Sequence, residues 1–141
     1  IDLYNSVTKT PIKEQIREAL KVLLVEDNLI NQKVALSLLE KAGYQYQIAN
    51  NGQEAVDIYS QDQGFDVILM DLMMPVKDGF AATVELREFE HDNDISQTPI
   101  IALTASVIDD DIRRCFDSGM NAYIPKPVKG EKLYSEIEYL T

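Results

Sequence analysis

Short, wholly apolar runs alternate along this chain with longer segments in which apolar and polar residues recur at helical spacing. The clearest runs are residues 22–25, 67–70 and 99–103, and weaker runs occupy 46–49 and 121–124. Runs this short and this apolar are typical of strands buried on both faces of a parallel sheet. We therefore predict a strand at each of the five positions.

The segments between the runs carry the periodicity of helices. In the first segment Ile30, Val34 and Leu38, with Leu39 and Ala42, are predicted to line one face of a helix, and Gly43 is predicted to end it. Further helices are predicted around residues 55–59 and over 80–90, 106–118 and 129–139. Five strand–helix alternations predict a single α/β domain over residues 21–141, with a parallel sheet covered by helices on both faces.

Residues 1–20 have a different character. They are polar and irregular up to Thr10, which precedes Pro11 as an N-cap precedes the first helical position. Ile12, Ile16 and Leu20 then form a narrow apolar stripe, which predicts a linker or a short connecting helix. Because the chain begins with Ile1 rather than Met, we expect it to be processed or to be part of a longer polypeptide.

Composition narrows the classes of partner. The net charge of −11 argues against binding to nucleic acid and against direct contact with an anionic membrane, because both need a basic surplus. Cys115 is the only cysteine, which excludes a disulfide framework and favours a reducing, cytoplasmic compartment. No apolar run approaches the length of a membrane span, although a parent protein could still be membrane-anchored.

Three carboxylates follow two of the predicted strands. Glu26 and Asp27 come after the first strand, and Asp71 follows the third, central one. The carboxyl ends of parallel strands share one rim, where ligands and chemistry collect in open α/β sheets. Carboxylates so close together repel unless a cation joins them, and all-oxygen ligation without His or Cys indicates a hard cation such as Mg²⁺.

Thr104 and Lys126 follow the fourth and fifth strands and are predicted to share this rim. A hydroxyl, a lysine and Mg²⁺ together suit a phosphoryl group, whose transfer needs mainly positioning and electrostatic stabilisation. One carboxylate then remains as the nucleophile that forms an acyl phosphate, and Asp71 is the best placed. Taken singly, each of these residues could equally be a cap or a solvated surface group.

In combination these stretches are specific, and the chain resembles the receiver domain of two-component response regulators. Residues 22–28 read Val-Leu-Leu-Val-Glu-Asp-Asn and 70–75 read Met-Asp-Leu-Met-Met-Pro, followed by Asp78 and Gly79. Residues 102–105 read Ala-Leu-Thr-Ala, and 126–127 read Lys-Pro. Asn31-Gln32 and the Gly-Met-Asn-Ala-Tyr sequence at 119–123 most resemble the receivers of hybrid sensor histidine kinases.

The resemblance implies a flavodoxin-like (βα)5 fold with a five-stranded parallel sheet of order 2-1-3-4-5. It implies that Asp71 takes a phosphoryl group from a phosphohistidine on a histidine kinase core or a histidine phosphotransfer domain. Glu26, Asp27, Asp71 and the backbone carbonyl of Met73 would hold Mg²⁺. The domain would be a phosphoacceptor in a phosphorelay rather than an enzyme, and a monomer or a weak homodimer.

The resemblance also assigns a switch. Thr104 would move to bond the new phosphoryl group, Tyr123 would turn inward behind it, and Lys126 would pair with the phosphoryl oxygens, its bond to Pro127 usually being cis. Met73 and Ser106 flank the path of an attacking water in the family. Since a thioether orients water poorly, we predict slower self-dephosphorylation than in receivers with an amide at the position of Met73.

Three alternatives stay open at this point. An aspartyl phosphatase or phosphotransferase would carry a second Asp two residues after the nucleophile, where this chain has Met73. A flavin or nucleotide binder would need a Gly-rich loop after the first strand, where the chain has Glu26-Asp27-Asn28. A receiver-like scaffold that is never phosphorylated is the third. His91, the only histidine, is interpreted as a solvated surface residue.

Overall fold

The computed structural model describes residues 20–141, and the predicted linker or connecting helix at 1–20 lies almost entirely outside this range. Within it five parallel strands form one sheet in the order β2-β1-β3-β4-β5, which confirms the predicted topology. The strands are β1 (Lys21–Val25), β2 (Gln45–Ala49), β3 (Val67–Asp71), β4 (Ile100–Thr104) and β5 (Ala122–Pro125).

Five helices alternate with the strands of the described domain. They are α1 (Leu29–Lys41), α2 (Gly52–Gln61), α3 (Gly79–Asp92), α4 (Asp109–Ser118) and α5 (Gly130–Leu140). Local sequence explains most of the ends: Asn28, Asn51 and Asp78 accept hydrogen bonds from the first-turn amides of α1, α2 and α3. Gly119 ends α4 in the left-handed conformation, with φ of 115°.

The two faces of the sheet carry two separate hydrophobic layers. Alternate residues of each strand point to opposite faces, so Leu23, Ile68 and Met70 pack with α2 and α3, whereas Val22, Leu24 and Leu69 pack with α1 and α5. β3 and β4 are buried along their whole length. This full burial explains their unbroken apolar sequences. It also places Asp71 and Thr104, the last residues of the two strands, at the same edge of the sheet.

Two sequence-based expectations were wrong. Of the predicted α1 face Leu39 is buried, but Ile30 and Val34 are 72% and 45% exposed, and Gln32 and Ala35 are buried instead. Gln32, Ala35 and Leu39 recur at helical spacing, but Gln32 is polar, so the apolar pattern was wrong for the first half of the helix. α4 begins at Asp109 rather than at Ser106. The second helix begins at Gly52, three residues before the predicted positions 55–59, and the remaining ends agree within about two residues. The described residues contain no helix long and apolar enough to cross a bilayer.

Candidate functional site

The first part of the candidate site lies where the chain leaves β1. Glu26 continues the sheet by one bond, since its amide donates to the Ala49 carbonyl at 3.0 Å. Two residues later the Asn28 side chain caps α1 by accepting from the Asn31 amide at 3.0 Å. The two acidic residues are thus held between a strand and a helix cap, with Glu26 buried and Asp27 exposed.

The second part is Asp71, the last residue of β3, which is 5% exposed. The chain turns sharply after it, because the Gly79 amide donates to the Leu72 carbonyl at 3.0 Å. A Cβ on Gly79 would lie 2.3 Å from the Asp71 carbonyl oxygen, so only glycine permits this approach. Packing of the α3 N-terminus against the strand end therefore fixes the backbone that carries the Asp71 carboxylate.

The third part is Lys126, which crosses from the end of β5 to both buried carboxylates. Its Nζ lies 2.9 Å from Asp71 Oδ1 and 3.1 Å from Glu26 Oε1. Its amide donates to the Thr104 carbonyl at 2.8 Å, and its bond to Pro127 is cis. Burial alone would lower the pKa of Lys126, but hydrogen bonds to Asp71 and Glu26 outweigh it and raise that pKa above the ordinary value.

Together Glu26, Asp27, Asp71 and Lys126 form what we call the acidic site. One carboxylate oxygen from each of the three acids lies within 4.8 Å of the others. Burial, and then the hydrogen bond and charge of Asp71, raise the pKa of Glu26 to about 7. Glu26 and Asp71 share one lysine and Asp27 adds a third carboxylate beside them, so acidic groups outnumber the cationic one. Its donor set is all oxygen, which fits a hard divalent cation such as Mg²⁺.

Thr104 ends β4 on the same rim, but its hydroxyl points to its own loop. It donates to the Ser106 carbonyl at 2.9 Å and accepts from the Ser106 amide at 3.0 Å. This closed local turn delays α4 until Asp109, which explains the late start of that helix. Asp109, Asp110 and Asp111 then form the first turn, where negative charge complements the helix dipole.

Tyr123 lies on β5, opposite Ala102 of β4, and its ring packs at the edge of the layer that faces α2 and α3. It also lines a surface groove of about 410 Å³ with Val107, Phe116 and Lys132. In this structure Tyr123 is half-buried. The structure thus places it one strand away from Thr104, on the side of the sheet where α4 packs.

An open cavity of about 340 Å³ leads to the acidic site. Asp27, Asn31, Met73, Ser106 and Asp111 are among the residues that line it, together with Asp71 at its floor. Met73 is 79% exposed and stands at the mouth. The structure brings all the sequence-predicted site residues to this cavity except Tyr123, which lines the separate surface groove. His91 is exposed and lies outside the cavity, as predicted.

The sequence-based interpretation missed one contributor to the site. Gln32 is buried on α1, and its Nε2 donates to the Glu26 carbonyl at 2.6 Å and to Asn50 Oδ1 at 2.9 Å. Its spacing from Ala35 and Leu39, which puts all three on one face of the helix, was the sequence feature that could have identified it. A polar residue in the buried phase of a helix indicates a specific partner, because an unpaired buried amide is costly.

The chain is similar in sequence to receiver domains and to histidine kinases. The family model of the response regulator receiver domain matches residues 22–138. Hybrid signal transduction histidine kinase K of Dictyostelium discoideum is 42% identical over 126 residues, which are 86% of this chain and 10% of that protein. The peroxide stress-activated histidine kinase mak1 of Schizosaccharomyces pombe is 38% identical over 79% of this chain and 7% of its own length. The chain thus spans only a small fraction of these relatives.

Solved receiver domains match almost from end to end. One from a Saccharomyces cerevisiae response regulator, solved in complex with a histidine phosphotransfer protein, is 42% identical with a TM-score of 0.78 over 84% of this chain and 86% of its own. The receiver of a Pseudomonas aeruginosa sensor histidine kinase, solved with magnesium in its active-site cleft, is 38% identical with a TM-score of 0.77, covering 86% and 96%.

The receiver of an Arabidopsis thaliana histidine kinase, solved with Mg²⁺ and BeF3⁻, is 30% identical with a TM-score of 0.81, over 92% of this chain and 95% of its own. The sheet order, the motifs at the strand ends and the matched family model agree with one another. The chain therefore belongs to the family of response regulator receiver domains.

Proposed function

We propose that this domain is a phosphoacceptor of a two-component phosphorelay, in which Asp71 receives a phosphoryl group from a phosphohistidine. The observation that carries the proposal is the position of Asp71 between Lys126 and the acidic pair, at the floor of an open cavity. The carboxylate is buried enough to be oriented, and the cavity leaves room for an incoming phosphoryl group.

We propose Mg²⁺ as the cofactor, held by Glu26, Asp27, Asp71 and the backbone carbonyl of Met73. The oxygen-only donor set supports this choice, as do the relatives solved with magnesium. The exposed Asp27 leaves one side of the site open, which suits a cation that keeps several waters. When bound, Mg²⁺ supplies positive charge to the phosphoryl oxygens.

The transfer step uses the residues of the acidic site. One Asp71 oxygen attacks phosphorus in line with the departing imidazole; the new O–P bond forms as the N–P bond breaks, and the imidazole nitrogen keeps the bonding electron pair. Asp71 thereby becomes an acyl phosphate. Lys126, already 2.9 Å from the carboxylate, remains protonated and neutralises the negative charge of the transferred group.

We infer that signalling begins when Thr104 exchanges partners. Its hydroxyl would leave the Ser106 carbonyl and donate to a phosphoryl oxygen, which opens the turn before α4. Tyr123 would then turn from the surface groove toward the space behind Thr104. Each of the two side chains would then have two alternative positions, one before and one after phosphorylation. This arrangement suits a switch between two states.

The partner would be a histidine kinase core or a histidine phosphotransfer domain. Exposed apolar side chains on the loops and helix starts around the cavity support contact with a protein: Leu29 and Ile30 on α1, Met73 and Val76 after β3, and Val107 and Ile108 before α4. We propose that the parent protein is a hybrid histidine kinase in the cytoplasm, where ATP is available to form phosphohistidine, and that the domain is a monomer or a weak homodimer.

Turnover of an external substrate is the weaker alternative. The position two residues after Asp71 is Met73, which cannot act as a general acid or base. Among the residues that line the cavity, Asp111 lies across it on α4, and Asp27 belongs to the proposed metal site. The arrangement supports acceptance of one phosphoryl group better than repeated hydrolysis of a small phosphate ester.

The test is the intact mass of the chain after incubation with acetyl phosphate, with and without Mg²⁺, beside the Asp71→Asn and Asp57→Asn variants. We expect one Mg²⁺-dependent phosphoryl adduct that is labile to hydroxylamine. It should be absent in Asp71→Asn and present in Asp57→Asn, which changes an exposed α2 carboxylate in the same way. An adduct that survives in Asp71→Asn would contradict the proposal, as would no adduct from either acetyl phosphate or a phosphohistidine protein.

A further inference from the structure

The turn between β2 and α2, residues 50–52, supplies no group to the acidic site, yet it contacts both segments that form it. On one side Asn50 Oδ1 accepts from Gln32 Nε2 at 2.9 Å, and the same amide donates to the Glu26 carbonyl at 2.6 Å. Asn50 is itself fixed by Glu54 Oε1, which accepts from its amide and its side chain at 3.0 and 3.1 Å. The backbone of Glu26 is thus tied to the turn.

On the other side the turn holds the loop that follows Asp71. The Gly52 amide donates to the Lys77 carbonyl at 3.0 Å. A Cβ on Gly52 would lie 2.4 Å from that carbonyl oxygen, so the contact requires glycine. The helix start and the loop therefore approach as closely as two backbones can.

The loop held by Gly52 contains a strained residue. Val76 has φ of 69°, and the Lys77 amide donates to the Pro75 carbonyl at 2.7 Å across it, which makes a γ-turn. A β-branched residue is rarely found at positive φ, and such a conformation persists only where the surroundings impose it. The same loop carries Met73, whose carbonyl belongs to the proposed ligand set.

We propose that Gln32, Asn50 and Gly52 are positioning residues of the metal site, with the β2–α2 turn as their common support. The Gln32–Asn50 pair fixes the backbone of Glu26, and Gly52 fixes the loop of Met73, so one turn sets the distance between the two halves of the ligand set. The inference rests on the Mg²⁺ site of the proposed function. Groups behind metal ligands commonly change metal affinity when replaced, although they never touch the ion.

Calorimetric titration of the chain with MgCl₂ tests the first contact. Gln32→Met keeps the volume and removes the donor, and we expect Mg²⁺ to bind about 10-fold more weakly, at the low end of such effects. Gln53→Met is the matched control, because the Gln53 amide also makes a side-chain hydrogen bond, to Asp57 at 2.9 Å on the outer side of α2. It should bind Mg²⁺ as the wild type does.

Non-additivity distinguishes positioning from general loosening of the fold. Asn50→Ala should weaken Mg²⁺ binding like Gln32→Met, and the double variant should be no weaker than either single variant, since both break one connection. Gly52→Ala acts on the other half of the site, so its effect should multiply with that of Gln32→Met. Gly130→Ala is its control, because Gly130 also opens a helix, but a Cβ there would meet side chains rather than backbone, Tyr134 at 3.3 Å and Leu38 at 3.4 Å.

Thermal unfolding without Mg²⁺ shows which variants remain folded, and the affinities are compared among those. Folded Gln32→Met, Asn50→Ala and Gly52→Ala variants that all bind Mg²⁺ within twofold of wild type would overturn the inference and leave the proposed function intact. If Gln32→Met does not fold, Asn50→Ala and Gly52→Ala decide. A wild-type chain that binds no Mg²⁺ would instead overturn the proposed metal site, and the inference with it.

Discussion

Two clusters of buried charge lie at opposite ends of the same sheet, and they are built from similar residue types. The acidic site lies at the carboxyl ends of the strands. The second, which we call the amino-end cluster, joins Tyr59, Arg87, Glu90 and Thr98 near the amino end of β4. Each contains a buried glutamate and a cationic side chain, and a threonine lies beside each. They differ in whether their hydrogen bonds are complete.

In the amino-end cluster every charge has a partner. Glu90 accepts from Tyr59 at 2.7 Å, from the Thr98 amide at 2.8 Å and from Arg87 at 2.7 Å. Arg87 further donates to the Gly119 carbonyl and to Asn121 Oδ1, each at 2.9 Å. One carboxylate meets one guanidinium, and each of the three guanidinium nitrogens donates one hydrogen bond. This cluster connects α2, α3 and the segments before β4 and β5, and its role is structural.

The acidic site has the opposite balance. Glu26 and Asp71 share one lysine, Asp27 adds a third carboxylate beside them, and the Thr104 hydroxyl on the same rim is bonded to its own loop. The raised pKa of Glu26 is a consequence, since burial and its neighbour Asp71 both disfavour a second negative charge. A satisfied cluster stabilises the fold, whereas an unsatisfied one is ready for a cation and a phosphoryl group. The ratio of acidic to basic groups, more than the residue types, therefore distinguishes the structural cluster from the functional site.

Glu90→Gln should give the largest effect on stability. It leaves Arg87 without its anion in a site where Glu90 is 2% exposed, and breaking such a buried pair costs about 3 kcal/mol. Chemical denaturation measures the loss in the free energy of unfolding. Glu88→Gln, on the exposed side of the same helix, is the control and should change it little. A neutral Glu90→Gln would contradict the structural role assigned to the cluster.

Tyr59→Phe should cost less, about 1.5 kcal/mol at neutral pH, chiefly from the hydrogen bond to charged Glu90, although the contact with the Thr98 hydroxyl at 2.7 Å is lost too. Burial raises the pKa of Tyr59 to about 12, above the value of about 10 in an unfolded chain. Wild type therefore loses stability as pH rises from about 10 toward 12, because only unfolded Tyr59 ionises there. The difference between wild type and Tyr59→Phe should shrink over that range, and a difference that grew would contradict the assignment.

Asp71→Asn should act in the opposite direction. Without Mg²⁺ it removes one of two buried carboxylates that share Lys126, so we expect the free energy of unfolding to rise by roughly 1 kcal/mol, the value of one pKa unit. Thermal melts in the presence of a chelator measure this change, with Asp57→Asn as the surface control. Lower stability in Asp71→Asn would mean that Lys126 already balances the site, and the contrast between the two clusters would fail.

The sequence was sufficient for the topology and for one of the two clusters. Glu26, Asp71 and Lys126 could be predicted because each follows an apolar run that forms a strand. The ends of parallel strands lie along one edge of the sheet, so position in the sequence was enough to bring these residues together. The amino-end cluster has no such marker, since Tyr59 and Glu90 are 31 residues apart and meet only through helix packing. The one available signal was that Glu90 continues the buried phase of Ala82 and Leu86 along α3.

Gln32 was missed for a related reason. Apolar Ile30 and Val34 recur at helical spacing and suggested the wrong face for the first half of α1, while the polar Gln32 occupies the buried face together with Leu39. Periodicity identifies a core face only where that face is apolar. At this end of α1 the polar Gln32 is buried, whereas the apolar Ile30 and Val34 are exposed. The usual relation between polarity and burial is therefore reversed where the proposed partner would dock.

Met73→Asn should give the smallest effect, and one that is kinetic. Met73 is exposed at the cavity mouth and offers an attacking water only a weak acceptor, whereas an amide would donate and accept. We expect the acyl phosphate to hydrolyse about 3- to 10-fold faster, which one hydrogen bond of about 0.7–1.4 kcal/mol supplies. Decay of the adduct mass after removal of acetyl phosphate measures the rate, with Leu29→Asn as an exposed apolar control on α1. An unchanged or longer half-life in Met73→Asn would show that water reaches phosphorus by another path, and that Ser106 or the Thr104 loop controls its approach.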